Sequence, residues 1–597
     1  MDLFVLIAMA GGLAMFLYGM HLLGAGLEKL SGGRLAHTLE KLTSSTLSAV
    51  LMGALVTAAV QSSSATTVVV VGLVNARVLK LRQAIGVIMG ANIGTTVTAH
   101  ILRLAGVESS NLLLRFLTPS TLAPLFTIIG VVLLLAAKRT VHKEIGQILI
   151  GFGILFTGML TMSDSVAPLA DMPAFSALFT AFQNPLLGVL VGAAVTAIIQ
   201  SSSASVGILQ ALSGTGAITW AAAFPIIMGQ NIGTTITPIL ASIGASKNAK
   251  RSALVHLTFN LLGTLLFLAG TYTVQYTIGF PFWGDPITMS GIANFHTIFN
   301  VMITLVFLPL TGLLEHLVCR LVPETEPGTA ASPEDAALAG LDDRLLVSPG
   351  LAVDYAHRAT VHMGRLALEN FTRSMAQFDR FDPKVEERLR ETEDVIDRLE
   401  SRLGAYLLKF SGHEMTKTES QRINELLQVI SEFERVGDYS MNNAQCAMQM
   451  EEENAHLSSD ALEELHVMGQ ACTEIIELAI RAFEAEDPLA AQRIEPLEEV
   501  IDAIRETLGE RHVLRLREGH CSVSTGILFV ETLGALERVA DHCSNVGVHV
   551  ITHRGGNTAL DRHGYLKEVH RGASQAYTGL YQQYGQKYYS RIEGDAK

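Results

Sequence analysis

The chain has 597 residues, a formal net charge of −14 and 49% hydrophobic residues; it is too long for one domain and too unevenly charged for one environment. Up to Arg320 there are 15 Lys/Arg against 9 Asp/Glu, which leaves 28 against 48 for the remainder, and no charged residue lies from Leu42 to Ala76 or from Met172 to Ser246. Such runs exceed the roughly 20 apolar residues that carry a helix across a bilayer, so a wholly soluble protein is excluded. The first half reads as a polytopic membrane domain and the second as a soluble acidic one. Cys319, Cys446, Cys472, Cys521 and Cys543 form no CxxC pair and are odd in number, which speaks for free thiols in a reducing cytoplasm.

In chain order, Leu3–Leu27 is too long for a signal-peptide core and lacks a basic start, so it is a retained membrane helix. Lys29, Arg34 and Lys41 follow it, and basic loops favour the cytoplasm, which places the N-terminus outside. Leu47–Val60 runs into Gln61–Ser64 and continues as Ala65–Ala76, with basic residues beyond both ends. The first arm rises about 21 Å as a helix, past the midplane of a core about 30 Å thick. A re-entrant hairpin with a serine-rich tip fits better than a spanning helix. Ala84–Leu102 crosses outward, broken at Gly90-Ala91-Asn92-Ile93-Gly94, and Phe116–Ala137 returns to Lys138, Arg139 and Lys143. Ile145–Met162 goes out to a loop with Asp164 and Asp171, the second hairpin Leu186–Gly214 enters from outside, and Trp220–Ile243 crosses inward to Lys247, Lys250 and Arg251. Two further helices lie near Ser252–Tyr272 and Ile292–Cys319.

The two halves of this region are copies. Gln61-Ser62-Ser63-Ser64-Ala65 returns as Gln200-Ser201-Ser202-Ser203-Ala204, and Asn92-Ile93-Gly94-Thr95-Thr96 as Asn231-Ile232-Gly233-Thr234-Thr235, both 139 positions on. Gly12, Gly19 and Met20 match Gly151, Gly158 and Met159 at the same offset. The first helix points inward and its mate outward, so the repeats are inverted, the arrangement of secondary transporters whose sites form where broken helices meet. Backbone amides freed at such breaks need partners in the membrane. Helix N-termini and Ser/Thr hydroxyls suit an oxyanion held without arginine, and exposed carbonyls with Gln and Asn oxygens suit a small hard cation. A second, smaller repeat, His256-Leu-Thr-Phe-Asn260 and His296-Thr-Ile-Phe-Asn300, puts His and Asn on one helix face. It serves either proton coupling and site support or a buried brace between helices.

Pro323–Gly350 is rich in Pro, Glu, Asp and Ala and reads as a connector; beyond it the sequence is charged, helical and again repeated. Glu393-Asp394-Val395-Ile396-Asp397 resembles Glu498-Glu499-Val500-Ile501-Asp502, and Glu434-Arg435-Val436-Gly437-Asp438 resembles Glu537-Arg538-Val539-Ala540-Asp541. This predicts two three-helix bundles in tandem. Paired carboxylates four residues apart repel on one helix face. A divalent metal such as Mn, Fe or Mg on Glu434, Asp438, Glu537, Asp541, Asp397 and Asp502 would relieve them; the alternative is a solvated acidic face with Arg435, Arg538 and Arg398 as partners.

The paired Gln-Ser-Ser-Ser motifs and Asn-Ile-Gly-Thr-Thr breaks resemble the type II sodium/phosphate cotransporters over about residues 1–320, and Glu434–Asn442 with Glu537–Asn545 resembles PhoU, a phosphate-signalling helical protein, over about 345–590. By that resemblance Gln61, Ser62, Ser63, Ser64, Gln200, Ser201, Ser202 and Ser203 would line the phosphate and sodium sites, supported by Asn92, Thr95, Thr96, Asn231, Thr234 and Thr235. The expected fold is all-α: a membrane domain over 1–320 (repeats about 1–140 and 141–320), a connector over 321–350 and a PhoU-like helical domain over 351–590. The expected function is sodium-coupled transport of inorganic phosphate across the cell inner membrane, with a cytoplasmic regulatory domain. It is not an enzyme and has no nucleic-acid partner; membrane lipid surrounds it, and a homo-oligomer stays open. The alternatives are a phosphate or oxyanion exporter of the same fold and a membrane-anchored, metal-binding regulator.

Overall fold

The computed structural model describes residues 3–31, 45–106, 118–167, 181–323, 338, 340–412, 415–554 and 575–593. Arg34, Lys41, Asp171 and much of the expected connector lie outside the described residues. Among those described, the chain is helical, with a single bridge between Thr219 and Pro286. It forms two compact units: residues 1–330 with 342–351, and residues 331–341 with 352–597.

The first unit holds thirteen named helices among the described residues: α1 (Leu3–Ser31), α2 (Thr46–Val60), α3 (Ser63–Asn75), α4 (Leu81–Leu102), α5 (Pro119–Ala136), α6 (Thr140–Val166), α7 (Pro185–Ile199), α8 (Ser202–Ser213), α9 (Trp220–Gly233), α10 (Ile236–Ala241), α11 (Lys247–Thr277), α12 (Met289–Phe307) and α13 (Thr311–Leu321). Five of them are long and apolar enough to cross a membrane: α1, α4, α6, α11 and α12. Small residues let these helices meet backbone to backbone, as membrane packing favours. A Cβ on Gly12 would lie 3.0 Å from the Gly158 carbonyl, and one on Gly19 would lie 2.8 Å from that of Gly151. These contacts are reciprocal under the 139-residue shift, because Gly151 is the counterpart of Gly12 and Gly158 that of Gly19. Helices α1 and α6 therefore pack antiparallel with each presenting the same surface. Within each copy the spacing is also repeated: Gly90 abuts the Val50 carbonyl and Gly229 that of Val189.

Two helices differ from what the sequence leads one to expect. Helix α4 runs unbroken through Asn92-Ile93-Gly94, whereas its counterpart stops at Gly233 and restarts as α10 at Ile236. The motifs are identical; the difference lies downstream, where Pro238 stands in place of Ala99. Proline offers no N–H to the Thr234 carbonyl and its ring crowds that group, so the turn before it opens. The segment Ile292–Cys319 is likewise two helices, α12 and α13, separated at Leu308–Leu310 around Pro309.

Part of the expected connector is packed structure. Asp343–Val347 forms a 3₁₀ turn whose Leu345 and Leu346 are buried. Leu345 lies against Gly72 of α3, and Asn75 Nδ2 donates to Asp342 Oδ2 at 2.6 Å. Arg344 pairs with Asp342 at 2.7 Å and donates to the carbonyls of Ala241 and Ile243 at 2.5 and 3.3 Å. The turn thus ties the end of the first hairpin to the end of α10 in the second copy.

The second unit is built from α14 (Pro349–Ala376), α15 (Pro383–Leu408), α16 (Lys417–Glu452), α17 (Ser459–Ala485), α18 (Ile494–Arg517), α19 (Val523–Arg554) and α20 (Gln575–Tyr584). Buried Phe371, Phe433, Phe483 and Phe529 fill its interior. Helix α16 reaches α19 through Glu432, which accepts from His542 Nδ1 at 2.7 Å and Asn545 Nδ2 at 3.0 Å.

Candidate functional site

Each hairpin turns at its glutamine. Gln61 (φ 59°) and Gln200 (φ 57°) are left-handed C-caps of α2 and α7. A side chain held there costs on the order of 1 to 3 kcal/mol, and the same left-handed glutamine recurs at the same position of both copies. The next residue in each copy is an N-cap: Ser62 Oγ accepts from the Ala65 amide at 3.1 Å, and Ser201 Oγ from the Ala204 amide at 3.2 Å. Neither hydroxyl hydrogen is given to an acceptor among the described residues, and α3 and α8 begin with their positive ends at the tips. The tips meet, because Ser64 Oγ donates to the Gln200 carbonyl at 3.2 Å. Ser63, Ser202 and Ser203 are buried beside them, while Gln200 is exposed. Gln61 is also held from α4, where Thr98 Oγ1 donates to its Oε1 at 2.8 Å.

The second set of motif residues sits deeper. Thr95, Thr96, Thr234 and Thr235 are buried and donate to carbonyls of their own helix turn, those of Ala91, Ile93, Gln230 and Ile232. Asn92 and Asn231 are engaged by the smaller His-Asn repeat. Asn92 Nδ2 donates to Asn260 Oδ1 at 2.7 Å, and its Oδ1 faces His256 Nε2 at 3.1 Å. Asn231 does the same with Asn300 at 3.0 Å and His296 at 3.2 Å. The sequence displayed both motifs; nothing in their spacing said that one grips the other.

The two copies differ where hydroxyls face each other inside a hairpin. In the first, Thr57 Oγ1 donates to Thr66 Oγ1 at 3.1 Å. The corresponding Thr196 and Ser205 hydroxyls of the second are buried without a partner among the described residues, as is Oε1 of Gln230, which replaces Ala91. Oε1 of Gln210 and Oγ1 of Thr237 are also buried without a partner among the described residues, so the second copy holds five uncompensated neutral oxygens whose first-copy counterparts are either bonded (Thr57, Thr66, Thr98) or apolar (Val71, Ala91).

In the second unit, one carboxylate oxygen each from Glu393, Asp397 and Asp438 lies within 4.8 Å of the others, and Glu495, Glu498 and Glu499 form a similar group. Of the six metal candidates read from sequence, Asp397 and Asp438 fall in these clusters. Arg435 lies 3.6 Å from Glu434 and 3.5 Å from Asp438, and Arg538 lies 3.9 Å from Glu537 and 3.0 Å from Asp541. Burial and then the neighbouring Asp438 push Glu434 up to about 7, and burial and then Glu537 push Asp502 up to about 6. Crowded like charges fit a cation. Glu432 is the opposite case: burial raises it, but hydrogen bonds from His542, His549 and Asn545 prevail and hold it at about 2.

The chain resembles known proteins in both units. The family described as Na+/Pi-cotransporter matches residues 15–164 and 157–284, and the PhoU domain matches 360–447 and 465–550. The Escherichia coli protein named "Putative inorganic phosphate export protein YjbB" is 26% identical over 554 residues, 92% of this chain and 97% of that one. YqeW of Bacillus subtilis, named uncharacterized, is 32% identical over 320 residues, 53% of this chain and 99% of that one. The human sodium-dependent phosphate transport protein 2B is 40% identical over 136 residues, 21% of this chain and 18% of that one.

Proposed function

Because the chain belongs to the Na+/Pi-cotransporter family and carries a PhoU domain, we propose that it is a sodium-coupled secondary transporter of inorganic phosphate with a regulatory helical domain. The observation that carries this reading is the junction of the two serine tips through Ser64 and Gln200. Two helix N-termini and the hydroxyls of Ser62 and Ser201 would converge there, and neither serine motif contains a charged residue. Phosphate would sit on these donors. Sodium would sit on neutral oxygens, of which Thr196, Ser205 and Gln230 offer three without partners.

The reading includes inverted repeats and re-entrant hairpins. Reciprocal glycine contacts between α1 and α6 support the first. The 15 residues of α2 and 13 of α3 support the second, since they rise only about 20 Å each against a core of about 30 Å. The N-terminus and the loop after α6 would then face outside and the PhoU-like domain the cytoplasm. Glu393, Asp397 and Asp438 would hold a divalent cation such as Mn, Fe or Mg, and its occupancy would tune transport.

A second reading is net export of phosphate. It is favoured by the E. coli protein, which spans both units and has export in its name. Labelled phosphate flux in proteoliposomes, under sodium gradients imposed in each direction, separates the two. Acceleration along the sodium gradient supports symport; outward flux indifferent to sodium supports export by another coupling and removes the sodium proposal.

A further inference from the structure

The structure joins the His-Asn repeat to both copies of the Asn-Ile-Gly-Thr-Thr motif. In each case four groups close a network. Asn260 Nδ2 donates to the His256 carbonyl at 2.9 Å, and Asn300 Nδ2 to the His296 carbonyl at 2.9 Å. This fixes the Asn260 and Asn300 amides so that their Oδ1 atoms face Asn92 and Asn231. Those residues donate through Nδ2, which leaves their Oδ1 atoms as acceptors and requires the facing imidazoles to be protonated at Nε2. His256, Asn260 and Asn300 are 0% exposed and His296 is 1% exposed. Nδ1 of each histidine is buried without a partner among the described residues.

We infer that His256 with Asn260 and His296 with Asn300 are positioning residues of the transport site, each fixing the register of one motif helix against the serine tips. Helix α4 carries the clamped Asn92 and, six residues on, Thr98, which holds the Gln61 side chain at the first tip. On α9 the clamped Asn231 lies just before the opening at Thr234–Thr235, so the clamp anchors the helix up to the point where it breaks. The imidazoles act as fixed, neutral Nε2–H donors and do not carry a coupled proton. This rests on the tips being the phosphate site.

The test is labelled phosphate flux in proteoliposomes of the full chain, for His256→Gln and His256→Phe and the matching changes at His296. Gln reproduces the Nε2 donor and cannot titrate, so it should retain flux with an unchanged pH profile and a KM within about twofold of wild type. Phe removes the donor and should raise the apparent phosphate KM about tenfold, as loss of about 1.4 kcal/mol would, with the protein still monodisperse. If His256→Phe is not recovered folded, Asn260→Leu probes the same network by removing the acceptor of Asn92 Nδ2. Loss of flux in folded His256→Gln overturns the inference in favour of a titrating histidine. Unchanged KM in folded His256→Phe, with only a lowered unfolding temperature, overturns it in favour of a brace. Absence of phosphate flux in wild type in the same liposomes counts against the tip reading itself, separately from either outcome.

Discussion

The tip serines cap helices, and the proposed function gives them a second job that a pair of double substitutions separates from the first. Ser62 and Ser201 each cap a helix by accepting one amide, from Ala65 and Ala204, and each keeps a hydrogen to donate. Replacing an N-cap serine by alanine costs about 1 kcal/mol, and by glycine only a few tenths. Ser62→Ala with Ser201→Ala should therefore destabilise the protein by about 2 kcal/mol. Ser62→Gly with Ser201→Gly should be near wild type in stability. Both lose the donated hydrogens, so both should lose phosphate flux. Unfolding of purified protein in detergent, followed by helical signal, reads the first quantity, and initial flux rates read the second. Normal flux in the stable glycine variant would refute the reasoning, because the hydroxyls would then be caps alone.

Other expectations follow from the same structure. Pro238→Ala should let α9 run on as α4 does, with a gain of up to about 3 kcal/mol in stability and a fall in flux; unchanged flux would make the opening irrelevant. A chain ending after Leu351 should unfold at a higher temperature than one ending after Leu321. The shorter chain lacks the bonds of Asp342 and Arg344 to Asn75, Ala241 and Ile243, each worth about 1 to 3 kcal/mol; equal temperatures would show that the turn contributes nothing. In the second unit, Glu434 and Asp502, raised to about 7 and 6, stay protonated when folded at pH values where the unfolded carboxylates have ionised. Their stabilising contribution is complete below the ordinary carboxylate range and is lost as pH rises through 6 and 7. Added Mn²⁺ should consequently raise the unfolding temperature of the second unit more at pH 8 than at pH 5.5; a shift of equal size at both would separate the metal from these carboxylates.

Much of the fold was legible because a tandem copy is its own control. Two identical pentads at a fixed offset located both tips, and the observed turns fall at Gln61 and Gln200. The continuity of α4 was not legible from the motif, since the motif is identical in the two copies; a single proline three residues beyond it, Pro238, decided it. The grip of His256 on Asn92 spans 164 residues, and no periodicity reports a contact of that separation. The turn at Asp343–Val347 was hidden by composition, because its two buried leucines sit among residues typical of connectors. For the acidic helices, spacing along one helix found the carboxylate pairs, but which of them cluster depends on how α15 meets α16. Glu393 thereby joins Asp397 and Asp438.

In the proposed function the two tips together form one phosphate site that sodium completes. Equilibrium binding of labelled phosphate to the purified full chain, in sodium and in potassium, tests it most directly when the Ser62→Gly/Ser201→Gly protein is measured alongside. Binding should be saturable in sodium, weaker in potassium and absent in the double variant. Phosphate binding of equal strength in the variant would contradict it.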